Sequence, residues 1–170
     1  MLLKNVFIGF LSFSILHADT LKECKTEADR ISGCVEREYH DNGKFWVDTP
    51  YKNGKREGVV KEYDEKGNLR FETPYTNGKR QGIAKAYYKN GGIQVEADVL
   101  NDIFHGDIRF YAEDGELLAL LKTEDHEIIS GKCFNDKALT IKEIRQIDIF
   151  DTEKAVIYLQ EICLKESDSK

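Results

Sequence analysis

The chain has 170 residues, of which 41% are hydrophobic, so it has enough apolar content to build one ordinary domain. Its 31 acidic residues outnumber the 25 basic ones, which gives a formal net charge of −6. This balance argues against nucleic acid as a partner, because binding to phosphates needs a basic surface or a clear basic patch.

The first 18 residues have the composition of a secretory signal. Lys4 supplies a positive charge, residues 6–16 are almost uniformly apolar, and Ala18 precedes the polar Asp19. The apolar run is shorter than the roughly 20 residues that span a bilayer, which disfavours a transmembrane anchor. We therefore predict a cleaved signal peptide at residues 1–18 and a periplasmic or secreted protein.

Residues 19–33 are predicted to form a short N-terminal helical cap. Leu21, Cys24, Ala28 and Ile31 fall on one helical face, and Gly33 stands where a helix would end.

A 24-residue period dominates residues 34–131. Two residue types recur in step in four copies: Tyr39, Tyr63, Tyr87 and Tyr111, and Gly43, Gly67, Gly91 and Gly115. A fixed period of this length is typical of stacked units that bury a core only by packing on their neighbours.

Each copy carries two turn signals about 12 residues apart. The first contains the recurrent glycine, which accepts the positive φ of a tight reversal. The second is Asn53-Gly54 and Asn77-Gly78, a strong hairpin signal, and it changes to Asn101-Asp102 and Asp125-His126 in the later copies, where we expect looser turns.

The segments between the turns alternate with a period of two, which predicts strands with one buried face. In the second copy Leu69, Phe71, Thr73 and Tyr75 are assigned to one face. Residues 117–121 of the fourth copy are apolar throughout, so we expect the C-terminal tail to cover them. The predicted fold is mainly β: an elongated, single-layer antiparallel sheet of four tandem 24-residue β-hairpin repeats with short helical caps.

A basic residue stands two positions before each tyrosine, on the same side of its strand. We interpret the tyrosines as packing residues of the repeat, and the alternative is an exposed aromatic and basic strip that binds a partner. The possible partner-binding residues are Arg37, Tyr39, Lys61, Tyr63, Lys85, Tyr87, Arg109 and Tyr111.

Residues 132–170 leave the period and are predicted to form a C-terminal cap. Residues 138–150 are compatible with strand or helix, whereas residues 152–165 carry an amphipathic helical stripe that includes Ala155, Val156 and Leu159. A helix there could cover the fourth copy.

The four cysteines, Cys24, Cys34, Cys133 and Cys163, are even in number and lack a CxxC spacing, which favours disulfides over a zinc site in an exported protein. An open stack leaves only Cys24–Cys34 and Cys133–Cys163 close enough to pair. A straight helix over residues 20–32 would hold the first pair about 15 Å apart. Either that helix is shorter, or these two thiols are not bridged to each other.

Residues 58–82 read GVVKEYDEKGNLRFETPYTNGKRQG, a pattern that resembles the bacterial variant of the MORN repeat. The resemblance covers residues 34 to about 131 and implies successive β-hairpins in an elongated, twisted sheet. It also implies an interaction or scaffold module, and many bacterial members of the family carry an antitoxin-like label. It supplies no catalytic residue, cofactor or metal site.

Catalytic motifs such as GxSxG, HExxH and the P-loop do not occur in the sequence. We therefore expect that the protein is not an enzyme and that it has no catalytic residue, cofactor or metal site. The leading hypothesis is an exported, non-catalytic repeat protein that binds a protein or cell-envelope component through its sheet. The alternative is an antitoxin-like or immunity protein that neutralises a toxin or effector.

Overall fold

A computed structural model describes residues 21–164, so the predicted signal peptide at residues 1–18 lies outside the described residues. The helices are α1 (Glu27–Ser32), α2 (Ile141–Ile144) and α3 (Thr152–Leu164). The strands are β1 (Cys34–Tyr39), β2 (Phe45–Lys52), β3 (Lys55–Arg56), β4 (Gly58–Tyr63), β5 (Leu69–Thr76), β6 (Lys79–Arg80), β7 (Gly82–Tyr87), β8 (Ile93–Leu100), β9 (Ile103–Tyr111), β10 (Leu117–Glu124) and β11 (Glu127–Cys133).

The strands form one open antiparallel sheet in the order β1-β2-β4-β5-β7-β8-β9-β10-β11, with the short β3 and β6 paired to β2 and β5. Each repeat contributes one hairpin, namely β1–β2, β4–β5, β7–β8 and β9–β10. The predicted fold class, a mainly β sheet of tandem hairpins with short helices, is confirmed.

All four second turns adopt the same tight geometry, so the prediction of looser turns in the later copies was wrong. Both central residues have positive φ in every copy, from 52° and 72° at Asn53-Gly54 to 49° and 69° at Asp125-His126. Asn and Asp tolerate this region better than other non-glycine residues. The last three of these turns also stack on the preceding repeat, since the Asp102 N–H donates to the Arg80 carbonyl at 3.0 Å and the His126 N–H to that of Phe104 at 3.0 Å. The first turn stacks on α1, where the Gly54 N–H donates to the Arg30 carbonyl at 3.1 Å.

A β-bulge follows the first turn of every repeat and divides the side chains differently from the predicted alternation. The register skips one residue per copy: Trp46, Arg70, Gln94 and Leu118. The skipped residue and the one after it therefore point to the same face of the sheet. In the fourth copy Leu118 and Ala119 are both buried, whereas Leu117 is 41% exposed on the opposite face. Leu69 likewise lies opposite Tyr63 and not on the face of Phe71, because Arg70 is the bulge.

The C-terminal segment packs on one face of the sheet, which we call the cap face; the opposite face, which carries the recurrent tyrosines, is the tyrosine face. Ala155, Val156, Leu159 and Cys163 of α3 are buried in the main hydrophobic core together with residues of β7–β11. The expected cover of the fourth copy is thus present, and it lies on the cap face. Within residues 138–150 the chain forms the short α2, and Ile147 joins the core.

Two disulfides tie both helical segments to the sheet. They join Cys24 to Cys34 and Cys133 to Cys163, with Cα–Cα distances of 5.1 and 5.4 Å, and they confirm the predicted pairing. The first forms because α1 begins only after Thr26, whose capping box with Asp29 starts the helix there. Cys24 precedes the helix, so of the two alternatives the first is correct: the helix is shorter than residues 20–32, and the two cysteines are bridged.

Candidate interaction surface

The structure brings all eight residues of the predicted aromatic and basic strip to the tyrosine face. Each tyrosine lies opposite an apolar residue of its own hairpin: Tyr39 faces Phe45, Tyr63 faces Leu69, Tyr87 faces Ile93, and Tyr111 faces Leu117. Tyr39 is 49% exposed because it ends the column, whereas the other three are half-buried.

The tyrosine hydroxyls of the later copies bind the preceding repeat. Tyr87 donates to Glu72 at 2.7 Å, and Tyr111 donates to Glu96 at 3.0 Å. Burial, followed by the hydrogen bond to Glu72, raises the pKa of Tyr87, so its hydroxyl stays protonated. These bonds link neighbouring repeats, as expected for residues that stabilise the stack.

The basic residues of the strip are similarly occupied by carboxylates of the sheet. Lys85 lies 3.3 Å from Glu96, and Arg109 lies 2.7 Å from Asp107. Arg37 is next to the buried Asp48 at 3.6 Å, and Lys61 is half-buried and also engaged. A partner that used this strip would therefore have to compete with contacts inside the sheet, while the role of these residues in binding stays a prediction.

The cap face carries a continuous row of cross-strand neighbours from one edge of the sheet to the other. In strand order the row consists of Glu38, Val47, Glu62, Phe71, Ala86, Val95, Phe110, Ala119 and Cys133. From Ala86 onward every member is at most 5% exposed, whereas Phe71 is 39% exposed and Glu38 is exposed. The cover by the C-terminal segment therefore ends at the second repeat.

The four bulge residues show the same boundary. Leu118 is buried, Gln94 accepts a hydrogen bond from Thr152 of α3 at 3.1 Å, and Arg70 lies 3.3 Å from Glu153. Trp46 is one repeat further on and is 46% exposed. The N-terminal end of α3 thus stops at the second repeat, and the bulge of the first repeat has no helix above it in the described part of the chain.

An apolar groove of about 180 Å³ lies where the cover ends. Phe71 and Thr73 of β5 form part of one wall, and Ile149 and Phe150 from the segment before α3 form part of the other. Phe150 is 72% exposed.

We call the part of the cap face around Trp46, Val47, Glu62 and Phe71, which α3 does not reach, the open half. Nearer the second turns of the same strands, Arg30 of α1 lies over the ring of Tyr51 at 5.1 Å, and Thr49 and Val60 are buried.

Sequence reasoning missed the open half because a simple alternation places Trp46 on the opposite face from Val47. One signal could have shown the bulge. An apolar residue stands six positions after each tyrosine (Phe45, Leu69, Ile93 and Leu117), as expected if it pairs with the tyrosine rather than with the residues that follow it.

Within residues 21–164, no group of three or more His, Cys, Asp or Glu side chains is placed to hold a metal ion. No helix in the same range is long and apolar enough to cross a membrane.

The sequence profile of the MORN repeat variant matches three segments of the chain, residues 35–53, 56–77 and 80–101. These segments fall on the first three hairpins. No curated protein matches the sequence significantly.

Among solved structures, the chain is similar to one from the glycosylation-associated protein complex of Streptococcus agalactiae, with 15% sequence identity and a TM-score of 0.44. The match covers 75% of this chain and 24% of that one, so the chain spans about a quarter of the length of this relative.

Proposed function

The chain carries three MORN repeat variants, and from this premise we propose that it is a non-catalytic interaction protein that binds a protein or cell-envelope partner through its sheet. MORN repeats are commonly protein-interaction modules.

The observation that carries the proposal is the open half of the cap face. The third and fourth repeats bury this face under α3, but in the first two repeats the same face presents Trp46 and Phe71 at 46% and 39% exposure. Exposed apolar patches with aromatic residues are typical of interaction sites, and tryptophan is enriched among the residues that dominate binding energy. The groove beside Phe150 extends this surface.

The proposed compartment is the periplasm or the exterior of the cell. Two disulfides support it, because such bonds persist in oxidising compartments. The test is the mass of the protein recovered from envelope and culture fractions of its native cells. A chain that begins at Asp19 in these fractions supports export, and an intact chain found only in the cytoplasm contradicts it.

The binding proposal is tested by quantitative crosslinking and affinity capture in native cells. The full-length chain is compared with a W46E/F71E variant and with a control, I83E/I157E, that places the same charges on exposed apolar residues elsewhere (47% and 66% exposed). We expect a partner that is retained by the control and lost with W46E/F71E. The absence of any reproducible partner, with all three proteins folded by circular dichroism, would contradict the proposed function.

The antitoxin-like or immunity role stays a prediction. It would require the captured partner to be toxic when it is produced alone.

A further inference from the structure

Glu62 is a half-buried carboxylate in the middle of the open half. In the row of cross-strand neighbours it lies between Val47 and Phe71. Burial raises its pKa. Within residues 21–164 no side chain forms a hydrogen bond or an ion pair with it, although a partly desolvated charge is costly to leave unpaired.

The position of Glu62 is apolar where the sheet is covered. The residues 24 and 48 positions later are Ala86 and Phe110, both buried under the C-terminal segment, and the residue 24 positions earlier is the exposed Glu38. A purely apolar cover such as the inner face of α3 suits the third and fourth repeats. In the second repeat, the same apolar cover would leave the carboxylate of Glu62 buried without a counterion.

The arginines that contact the cap face of the first two repeats are already engaged. Arg70 pairs with Glu153 at 3.3 Å, Arg30 pairs with Glu36 at 2.5 Å, and Arg56 stacks over the ring of Tyr75 at 5.3 Å. A cation that neutralises Glu62 would therefore come from outside the described residues. A second copy of this chain docked on the same face would instead bring Glu38 and Glu62 against like charges, which disfavours a symmetric dimer.

The open half has the length of one short helix. Four strands at about 4.8 Å give a row of roughly 15–20 Å. The 13 residues of α3, at about 1.5 Å each, extend about 20 Å over the covered half. A second helix of similar length would continue the line of α3 toward β1.

We propose that the open half binds an amphipathic helix of a partner protein, whose apolar stripe packs on Trp46 and Phe71 and whose single Lys or Arg pairs with Glu62. This inference rests on the proposed function and specifies the partner's chemistry. The aromatic neighbours favour a cation over a neutral donor, because an ammonium or guanidinium group is attracted to aromatic faces. Continuity with the α3 interface and charge complementarity both favour this occupant.

Site-resolved crosslinking tests the inference. The photoreactive residue p-benzoylphenylalanine replaces either Trp46 on the cap face or Ile83 on the tyrosine face of the full-length chain in its native cells. The two positions are matched in exposure, at 46% and 47%. We expect adducts at position 46 and not at position 83, and the crosslinked segment should be an amphipathic helix with a basic residue on or beside its apolar stripe.

The crosslinked segment, made as a synthetic peptide, is then titrated against the purified chain. E62Q should weaken its affinity about tenfold, the loss expected when a partly buried charge pair is broken, and should leave the fold at least as stable. E124Q, on an exposed residue remote from the open half, should change the affinity less than twofold.

The possible failures are distinguishable. Adducts only at position 83 would overturn the inference and leave the interaction function standing. Adducts at neither position would contradict both. Adducts at position 46 with a segment that lacks a basic residue, or with unchanged affinity for E62Q, would refute the pairing with Glu62.

Discussion

Truncation of Leu159 to alanine tests whether α3 covers the third and fourth repeats as described. The Leu159 side chain is fully buried, at 0% exposure, within the main core. The substitution removes three carbons, which is about 2.4 kcal/mol at ~0.8 kcal/mol each. The Cys133–Cys163 disulfide fixes the end of α3 to β11, which limits how far the helix can shift to fill the cavity. With the cavity added, we expect L159A to lose about 3–4 kcal/mol of unfolding free energy.

Ile157 provides the matched control, since it lies on the same helix and is 66% exposed. I157A should change the unfolding free energy by no more than about 0.5 kcal/mol. The assay is urea denaturation of both variants and the parent chain, followed by far-ultraviolet circular dichroism with the disulfides intact. A difference between L159A and I157A smaller than about 1 kcal/mol would refute the packing described for α3.

Three further outcomes are expected. Replacement of Cys133 and Cys163 by serine releases a loop of 30 residues and should cost about 3.6 kcal/mol in urea denaturation; a loss below about 1 kcal/mol would contradict this. Y87F removes the hydrogen bond to the preceding repeat and should cost about 1 kcal/mol in thermal melts, whereas Y39F, at the exposed end of the column, should be neutral; equal effects would refute the linking role. The raised pKa of Glu62 means that the folded chain holds this proton more tightly than the unfolded one. The protonated Glu62 therefore stabilises the fold at low pH, and this contribution is lost as the pH rises above the ordinary pKa of 4.5. The unfolding free energy of E62Q should accordingly exceed that of the parent by an amount that grows as the pH rises above 4.5, and a constant difference would contradict the assignment.

The hairpin architecture could be predicted from the sequence because its determinants are local. The recurrent glycines and the Asn-Gly pairs mark the turns, and a period of 24 residues leaves room for two strands per copy. The C-terminal helix was also predictable, since Ala155, Val156 and Leu159 form a stripe that needs a partner surface.

The faces of the strands were harder to predict because a bulge shifts the alternation by one residue. Trp46 and Leu118 occupy equivalent bulges, yet one is exposed and the other is buried under the cap. This difference depends on how far α3 extends over the sheet, which is a tertiary property that no local pattern encodes. The end of the cover at the second repeat, and with it the unpaired Glu62, could therefore be found only in three dimensions.

The later turns illustrate the opposite case, in which tertiary contacts override a weak local signal. Asp125-His126 is a poor hairpin sequence by composition, but its backbone is held by the bond from the His126 N–H to the carbonyl of Phe104, which lies in β9 just after the preceding turn. Stacking between repeats thus compensates for the missing glycine.

Trp46 is the only tryptophan of the chain, so it gives a direct test of the central claim that the open half of the cap face binds the partner. The chain labelled with 5-fluorotryptophan has one fluorine resonance, whatever the partner contains. On titration with the captured partner we expect this resonance to shift or broaden in step with binding measured by calorimetry. In the E62Q variant the same change should require higher partner concentrations. A resonance that stays unchanged while the partner binds would contradict the account.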